Sequence, residues 1–202
     1  QGNPTRLWAR RQDLTEAINQ AGENERYLPG AKLPSTLRAH ASLTDSLAGA
    51  ELVLFVVPSH ATREVTVEAR PYIPEGALVC NATKGIENDT LMLMSEVMVD
   101  VLGVAALPRL TYLSGPSFAK EIATGVPTAV TVAGASREAA ERVQRIFATA
   151  SLRMYYTEDV PGVEVGGALK NVVAIAAGIV DGLGFGLNTR AALMTRGLAE
   201  IG

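Results

Sequence analysis

Cysteine and histidine are nearly absent: Cys80 stands alone and the two histidines, His40 and His60, are far apart in the chain. One cysteine makes no internal disulfide, and three scattered ligands make no metal centre. Charge of either sign is also in short supply. With 18 basic against 21 acidic side chains in 202 residues and a net charge of −3, the chain has no electrostatic footprint for nucleic acid or an anionic membrane surface. The longest apolar run near the C-terminal end, Val172 to Val180, is about half the ~20 residues of a membrane span, and Lys170 and Asp181 flank it. It reads as a buried helix without membrane insertion. The opening residues carry no basic, apolar and small-residue sequence of a secretory signal. A reducing, cytoplasmic setting fits these absences.

Hydrophobic residues are plentiful, at 48%, enough for one good core or two modest domains. Short β-like runs alternate with helical stretches through the first two thirds, which points to βα units and a mostly parallel sheet. Strands are expected at Thr5–Trp8, Leu37–Ala41, Leu78–Asn81, Thr111–Leu113, Ala129–Ala133 and Met154–Thr157. The continuous apolar run Leu52–Val57, closed by Pro58, reads as the strongest strand, buried on both faces. Helices are expected from an Asp13-x-x-Glu16 capping box to about Ala21, from Asp89 to about Val101, and over Ser136–Thr149. From Val163 the texture turns to glycine- and alanine-rich helix, apolar on nearly all sides and therefore expected to be buried. A domain boundary is placed at Asp159–Gly162, dividing 1–159 from 160–202.

Four stretches carry chemistry. Arg10 and Arg11 follow the first strand, where a dinucleotide-binding fold meets the adenosine ribose; arginine there favours a 2′-phosphate, and a solvated pair before a helix is the plain alternative. Lys84 lies just past a buried strand, at the edge where open α/β sheets bind ligands, in a chain with four lysines and 14 arginines. It is read as an anion contact or as a surface lysine. Ser117, in the turn Gly115-Pro116-Ser117-Phe118-Ala119-Lys120, reads as a helix N-cap whose amides seat a phosphate or carboxylate, or simply as a cap. Ser117 and Lys120 also match the Ser-x-x-Lys of penicillin-recognising hydrolases, but the chain has neither Ser-Asp-Asn nor Lys-Thr-Gly.

The most informative stretch is Gly166-Gly167-Ala168-Leu169-Lys170-Asn171-Val172-Val173, a lysine and an asparagine inside an otherwise apolar helix. Desolvation, and a second cation such as Lys84 if brought near, would lower the pKa of Lys170 and leave an amine able to accept a proton. A snorkelling lysine at a domain rim is the other reading. Glycines 166, 167 and 178 are expected to allow close helix or ligand approach.

Taken in order, Leu-Trp-Ala-Arg-Arg, Ala-Thr-Lys-Gly-Ile-Glu, Leu-Ser-Gly-Pro-Ser-Phe-Ala-Lys-Glu, Gly-Gly-Ala-Leu-Lys-Asn-Val-Val-Ala-Ile and Asn-Thr-Arg-Ala-Ala-Leu-Met-Thr-Arg-Gly resemble the bacterial NAD(P)-dependent glycerol-3-phosphate dehydrogenases over essentially the whole chain. The resemblance implies an α/β fold: a Rossmann-like parallel sheet whose first βα unit is absent, then the leading helices of an all-α substrate domain. It implies interconversion of glycerol 3-phosphate and dihydroxyacetone phosphate with NADPH/NADP or NADH/NAD, supplying phospholipid synthesis, and leaves room for a homodimer. Lys170 matches the proton-accepting lysine and Asn171 a substrate contact. Lys84 matches the lysine between cofactor and substrate, Gly115 and Ser117 substrate contacts, and Ala119, Arg10 and Arg11 cofactor contacts.

The family's first strand and glycine-rich phosphate loop have no counterpart ahead of Gln1, and its distal Asp and Ser-Arg-Asn cluster none ahead of Gly202. Without that first strand two inner sheet edges would stay unpaired. Residues 1–202 by themselves are therefore expected to bind NADPH weakly and turn over little substrate. The alternatives are an inactive remnant or binding module of the same fold, and a related β-hydroxyacid or ketopantoate-type dehydrogenase acting on carboxylates.

Overall fold

The computed structural model describes residues 2–201. Along the chain run β1 (Thr5–Trp8), α1 (Gln12–Ala21), β2 (Leu37–His40), α2 (Leu43–Leu47), β3 (Leu52–Phe55), α3 (Ser59–Ala69), β4 (Leu78–Asn81), α4 (Met94–Leu102), β5 (Leu110–Ser114), α5 (Ala119–Ala123), β6 (Thr128–Ala133), α6 (Arg137–Phe147), β7 (Leu152–Thr157), α7 (Val160–Gly182) and α8 (Gly186–Ile201). Strands β3 to β7 form one sheet in chain order, and β1 and β2 form a separate parallel pair. Every pairing is parallel except β5 with β6, where Ser114 lies opposite Thr131.

Alternation along the strands divides the core between the two faces of the larger sheet. Val53, Phe55, Val79, Leu110 and Tyr112 meet Met98 of α4 on one face; Leu78, Cys80 and Val132 meet Ala139, Ala140 and Val143 of α6 on the other. All four residues of β4 are buried, as befits a strand inside a sheet covered on both sides. Burial also pushes the Cys80 thiol up to about 11, which makes it inert.

Several sequence-based expectations need correction. Strand β3 ends at Phe55 and, among the described residues, pairs only with β4; Leu54 is 43% and Val56 66% exposed, so that run is not buried on both faces. Likewise β1, among the described residues, pairs only with β2. Helix α1 is capped from Arg11 without a side-chain bond, because Asp13 pairs with the Arg11 guanidinium instead. Helix α4 starts at Met94, not at Asp89: Leu91 has a left-handed backbone (φ 58°) that no helix continues, and Glu96 accepts from the Leu93 amide to open the helix there. Helix α6 starts where expected, with the Ser136 hydroxyl accepting from the Ala139 amide at 3.3 Å.

Helix α7 departs furthest from expectation. Its 23 residues are long and apolar enough, by length and composition, to cross a membrane. Only Glu164 and Gly167 are buried, and Val172, Ile175 and Ile179 are exposed. Its first half rests on the sheet through contacts with β5, β6 and α4, and its second half pairs with α8, where Arg190 meets Asp181 at 3.3 Å.

Candidate functional site

Parallel order puts the C-terminal ends of β3, β4 and β5 on one sheet edge, so the turns after them meet there. The β4 turn is tied to its neighbour by the Ala82 amide on the Phe55 carbonyl (2.8 Å) and the Thr83 hydroxyl on the Val57 carbonyl (2.8 Å). Beyond Thr83 the loop is held by Arg63 of α3, which forms two hydrogen bonds with Glu87, at 2.9 and 3.0 Å, and also reaches Asp100 of α4. Lys84 is thus carried on a turn fixed at both ends.

The β5 turn supplies the acceptor. Gly115 has φ 144°, and a Cβ there would stand 3.0 Å from both the Ala129 carbonyl oxygen and the Val130 Cα of antiparallel β6, so only glycine fits. Its carbonyl accepts from the Lys84 ammonium at 3.0 Å and from the Lys170 ammonium at 3.3 Å. Lys84 also donates to the Ser117 hydroxyl at 2.8 Å, and Ser117 donates to the Gly115 carbonyl at 3.2 Å. Two cations thus converge on one neutral oxygen. Among the described residues neither lysine is in a salt bridge. Such a pair favours an added anion or an oxygen gaining negative charge.

Burial first, and the Lys170 charge second, lower the Lys84 ammonium to about 8. Beside the pair a cavity of about 290 Å³ is lined by Ser114, Gly115, Pro116, Thr131, Gly167 and Lys170, among others. A larger cavity, about 700 Å³ between α4, β5 and the start of α7, is mostly apolar and is lined by neither lysine.

Helix α7 approaches closely enough because Gly167 has no side chain: a Cβ there would collide with the Ser114 hydroxyl and stand 3.9 Å from the Lys84 Cγ. Gly166 and Gly178 have no protein atom within 4 Å of a built Cβ, so close helix approach is found at Gly167 of the three, while Gly166 lines the cavity beside the lysines. Ser117 is not a helix cap. Helix α5 begins at Ala119 behind Phe118 without a side-chain cap, and the Ser117 hydroxyl is taken up by Lys84 and Gly115. The polar groups gathered at this turn are side chains, those of Lys84, Ser117 and Lys170, and not helix amides.

The structure brings together Lys84, Gly115, Ser117 and Lys170. Asn171 is exposed and has no hydrogen bond to the group, and Ala119 is exposed at the start of α5. Arg10 is exposed and, among the described residues, in no salt bridge, while Arg11 is occupied by Asp13. Sequence reasoning missed Arg63, Glu87 and Ser114. Its one available signal was Glu87 in the Lys84 motif, which the eye takes for a solvated acid.

Residues 1–140 match the family model of the NAD-dependent glycerol-3-phosphate dehydrogenase N-terminus, and residues 159–202 that of the C-terminus. The chain is 54% identical over 194 residues to the glycerol-3-phosphate dehydrogenase [NAD(P)+] of Anaeromyxobacter dehalogenans, covering 96% of this chain and 58% of the relative. It is 50% identical over 196 residues to that of Myxococcus xanthus, covering 97% and 58%. The crystal structure of glycerol-3-phosphate dehydrogenase from Coxiella burnetii superposes with a TM-score of 0.89 at 38% identity, over 99% of this chain and 60% of that one. The chain therefore spans under two thirds of the length of these relatives.

Proposed function

Because this chain belongs to the NAD-dependent glycerol-3-phosphate dehydrogenase family, we propose that its two-lysine cleft carries the interconversion of sn-glycerol 3-phosphate and dihydroxyacetone phosphate. The observation that carries the reading is the convergence of Lys84 and Lys170 on the Gly115 carbonyl. Residues 1–159 are assigned to NAD(P) binding and 160–202 to the helical substrate part.

The donor set fits parts of a nicotinamide dinucleotide. Arg10, exposed and in no salt bridge among the described residues, suits the adenosine end, and an NADP 2′-phosphate in particular; Arg11 reaches it on release from Asp13. Lys84 and Ala119 lie on the turns that would flank the nicotinamide end. When bound, the cofactor supplies or takes up the hydride.

In oxidation Lys170 removes the hydroxyl proton from C2 of glycerol 3-phosphate as the C2–H bond gives up its electron pair; in reduction its ammonium returns that proton to the carbonyl oxygen. Lys84 holds positive charge against the same oxygen as it gains negative character. Two ammonium groups on one carbonyl repel, and the Lys170 charge is one of the causes that lower Lys84. Ser117 and Asn171 are assigned to holding the substrate, with Ser117 keeping Lys84 in place.

The substrate class is tested by following NADPH oxidation with dihydroxyacetone phosphate and with 2- and 3-keto acids, in the protein expressed from its whole reading frame. Turnover of the phosphorylated ketone alone is expected; turnover of a keto acid in its place would reassign the site. The same reading takes the protein to be cytoplasmic and leaves room for a homodimer, which the molar mass from light scattering checks.

A further inference from the structure

Glu164 is 9% exposed in the first half of α7, and no lysine or arginine among the described residues pairs with it. One carboxyl oxygen accepts from the Ser95 amide at 2.9 Å and the other from the Ser95 hydroxyl. Ser95 is the second residue of α4, a helix anchored by Met94, Val97 and Met98, which are fully buried. Glu164 therefore takes up an otherwise orphaned amide at the start of a rigid helix that belongs to the other part of the molecule.

Three contacts fix the first half of α7, at steps of three residues: Glu164 on Ser95, Gly167 on Ser114 and Lys170 on the Gly115 carbonyl. They occupy roughly 9 Å of helix axis. Gly167 limits how near the helix comes, and the long Lys170 side chain follows its backbone. The Glu164 bonds set where α7 stands along its own axis. Resting on the functional reading above, we propose that Glu164 is a positioning residue for the two-lysine site, pinning α7 to α4 so that the Lys170 amine stands over the Gly115 carbonyl.

The surroundings of the pin are acidic and apolar. From α4, Glu96 adds like charge, with Asp100 one turn further on; from β5, Tyr112 is buried nearby; β6 offers no titratable side chain. On α8, Arg190 is engaged by Asp181 and Arg196 by Glu200, and Lys170 is directed at the Gly115 carbonyl. Burial, then Glu96, push the Glu164 carboxyl up to about 7, against the Ser95 bonds. The neutral acid keeps both contacts, its carbonyl accepting the Ser95 amide and its hydroxyl donating to the Ser95 oxygen. Glutamine has the same donor and acceptor, so Glu164→Gln preserves the pin without the charge.

The test compares wild type, Glu164→Ala, Glu164→Gln and Ser95→Ala by hydrogen exchange along α7 and by steady-state kinetics with dihydroxyacetone phosphate. In Glu164→Ala, amides of residues 165–171 are expected to exchange about tenfold or more faster. Its kcat is expected to fall about tenfold or more while the cofactor KM stays within about threefold. Glu164→Gln is expected to restore both to within about threefold, and Ser95→Ala to fall between them. Unchanged exchange in Glu164→Ala, faster exchange with unchanged kcat, or failure of Glu164→Gln to restore either overturns the proposal. Should Glu164→Ala not fold, Ser95→Ala against Glu164→Gln decides by the same readouts. If wild type reduces no dihydroxyacetone phosphate, the functional reading fails by itself and the exchange result decides the pin.

Discussion

Lys84 is the residue whose environment makes the sharpest prediction. Its ammonium is lowered to about 8, so it is charged at neutral pH and loses that charge as pH rises through 8. An anionic substrate binds the charged form, and kcat/KM for dihydroxyacetone phosphate is expected to fall above about pH 8. Lys84→Met is expected to lower kcat/KM by about a hundredfold or more and to remove that decline from the pH profile. A decline at the same pH in Lys84→Met would assign the titration elsewhere. Glu164 behaves in the opposite sense. Its folded pKa, about 7, lies above the ordinary value of 4.5, so the folded state holds the extra proton between those limits. Stability from this group is full below about 4.5 and is lost as pH rises through 7. Thermal unfolding should show Glu164→Gln matching wild type near pH 5 and exceeding it at pH 8, by an amount on the order of 2 kcal/mol.

At the scale of elements, α7 and the β5 turn meet through one missing side chain. Gly167→Ala forces the Ser114 hydroxyl to turn away, and is expected to destabilise the protein and lower kcat; Ser114→Ala in the same chain should recover much of the loss. Gly166→Ala, one position back and facing open space, is expected to stabilise α7 by up to about 1 kcal/mol. Equal losses from both substitutions would contradict the close approach at Gly167. The elements themselves were largely legible. Strands at residues 5–8 and 78–81 and the Ser136 cap read directly from β-rich runs and a capping serine. The start of α4 was not, because the apolar spacing of Leu91, Met94, Met98 and Val101 continues through a residue whose backbone is left-handed. Ser117 was misread for a related reason: a serine before a helix looks the same whether its hydroxyl caps the helix or holds a lysine 33 positions away.

Seen whole, the molecule joins residues that the sequence keeps far apart. Lys84 and Lys170 were each identifiable from local pattern, one past a buried strand and one in an apolar helix. That both donate to the Gly115 carbonyl depends on the parallel order of β4 and β5 and on α7 crossing their edge. The Arg63–Glu87 and Ser95–Glu164 bonds span 24 and 69 positions and carry no local signature at all. Among the described residues the strands divide into the β1–β2 pair and the β3–β7 sheet. The account's central claim is that Lys170 moves the proton in this cleft. Its most direct test is Lys170→Met in the protein expressed from its whole reading frame, with kcat for dihydroxyacetone phosphate and the Kd for NADPH measured side by side. The expected result is a kcat lowered by about a hundredfold or more with Kd within about threefold of wild type. Equal losses in both would mean that Lys170 serves the fold, and would contradict the account.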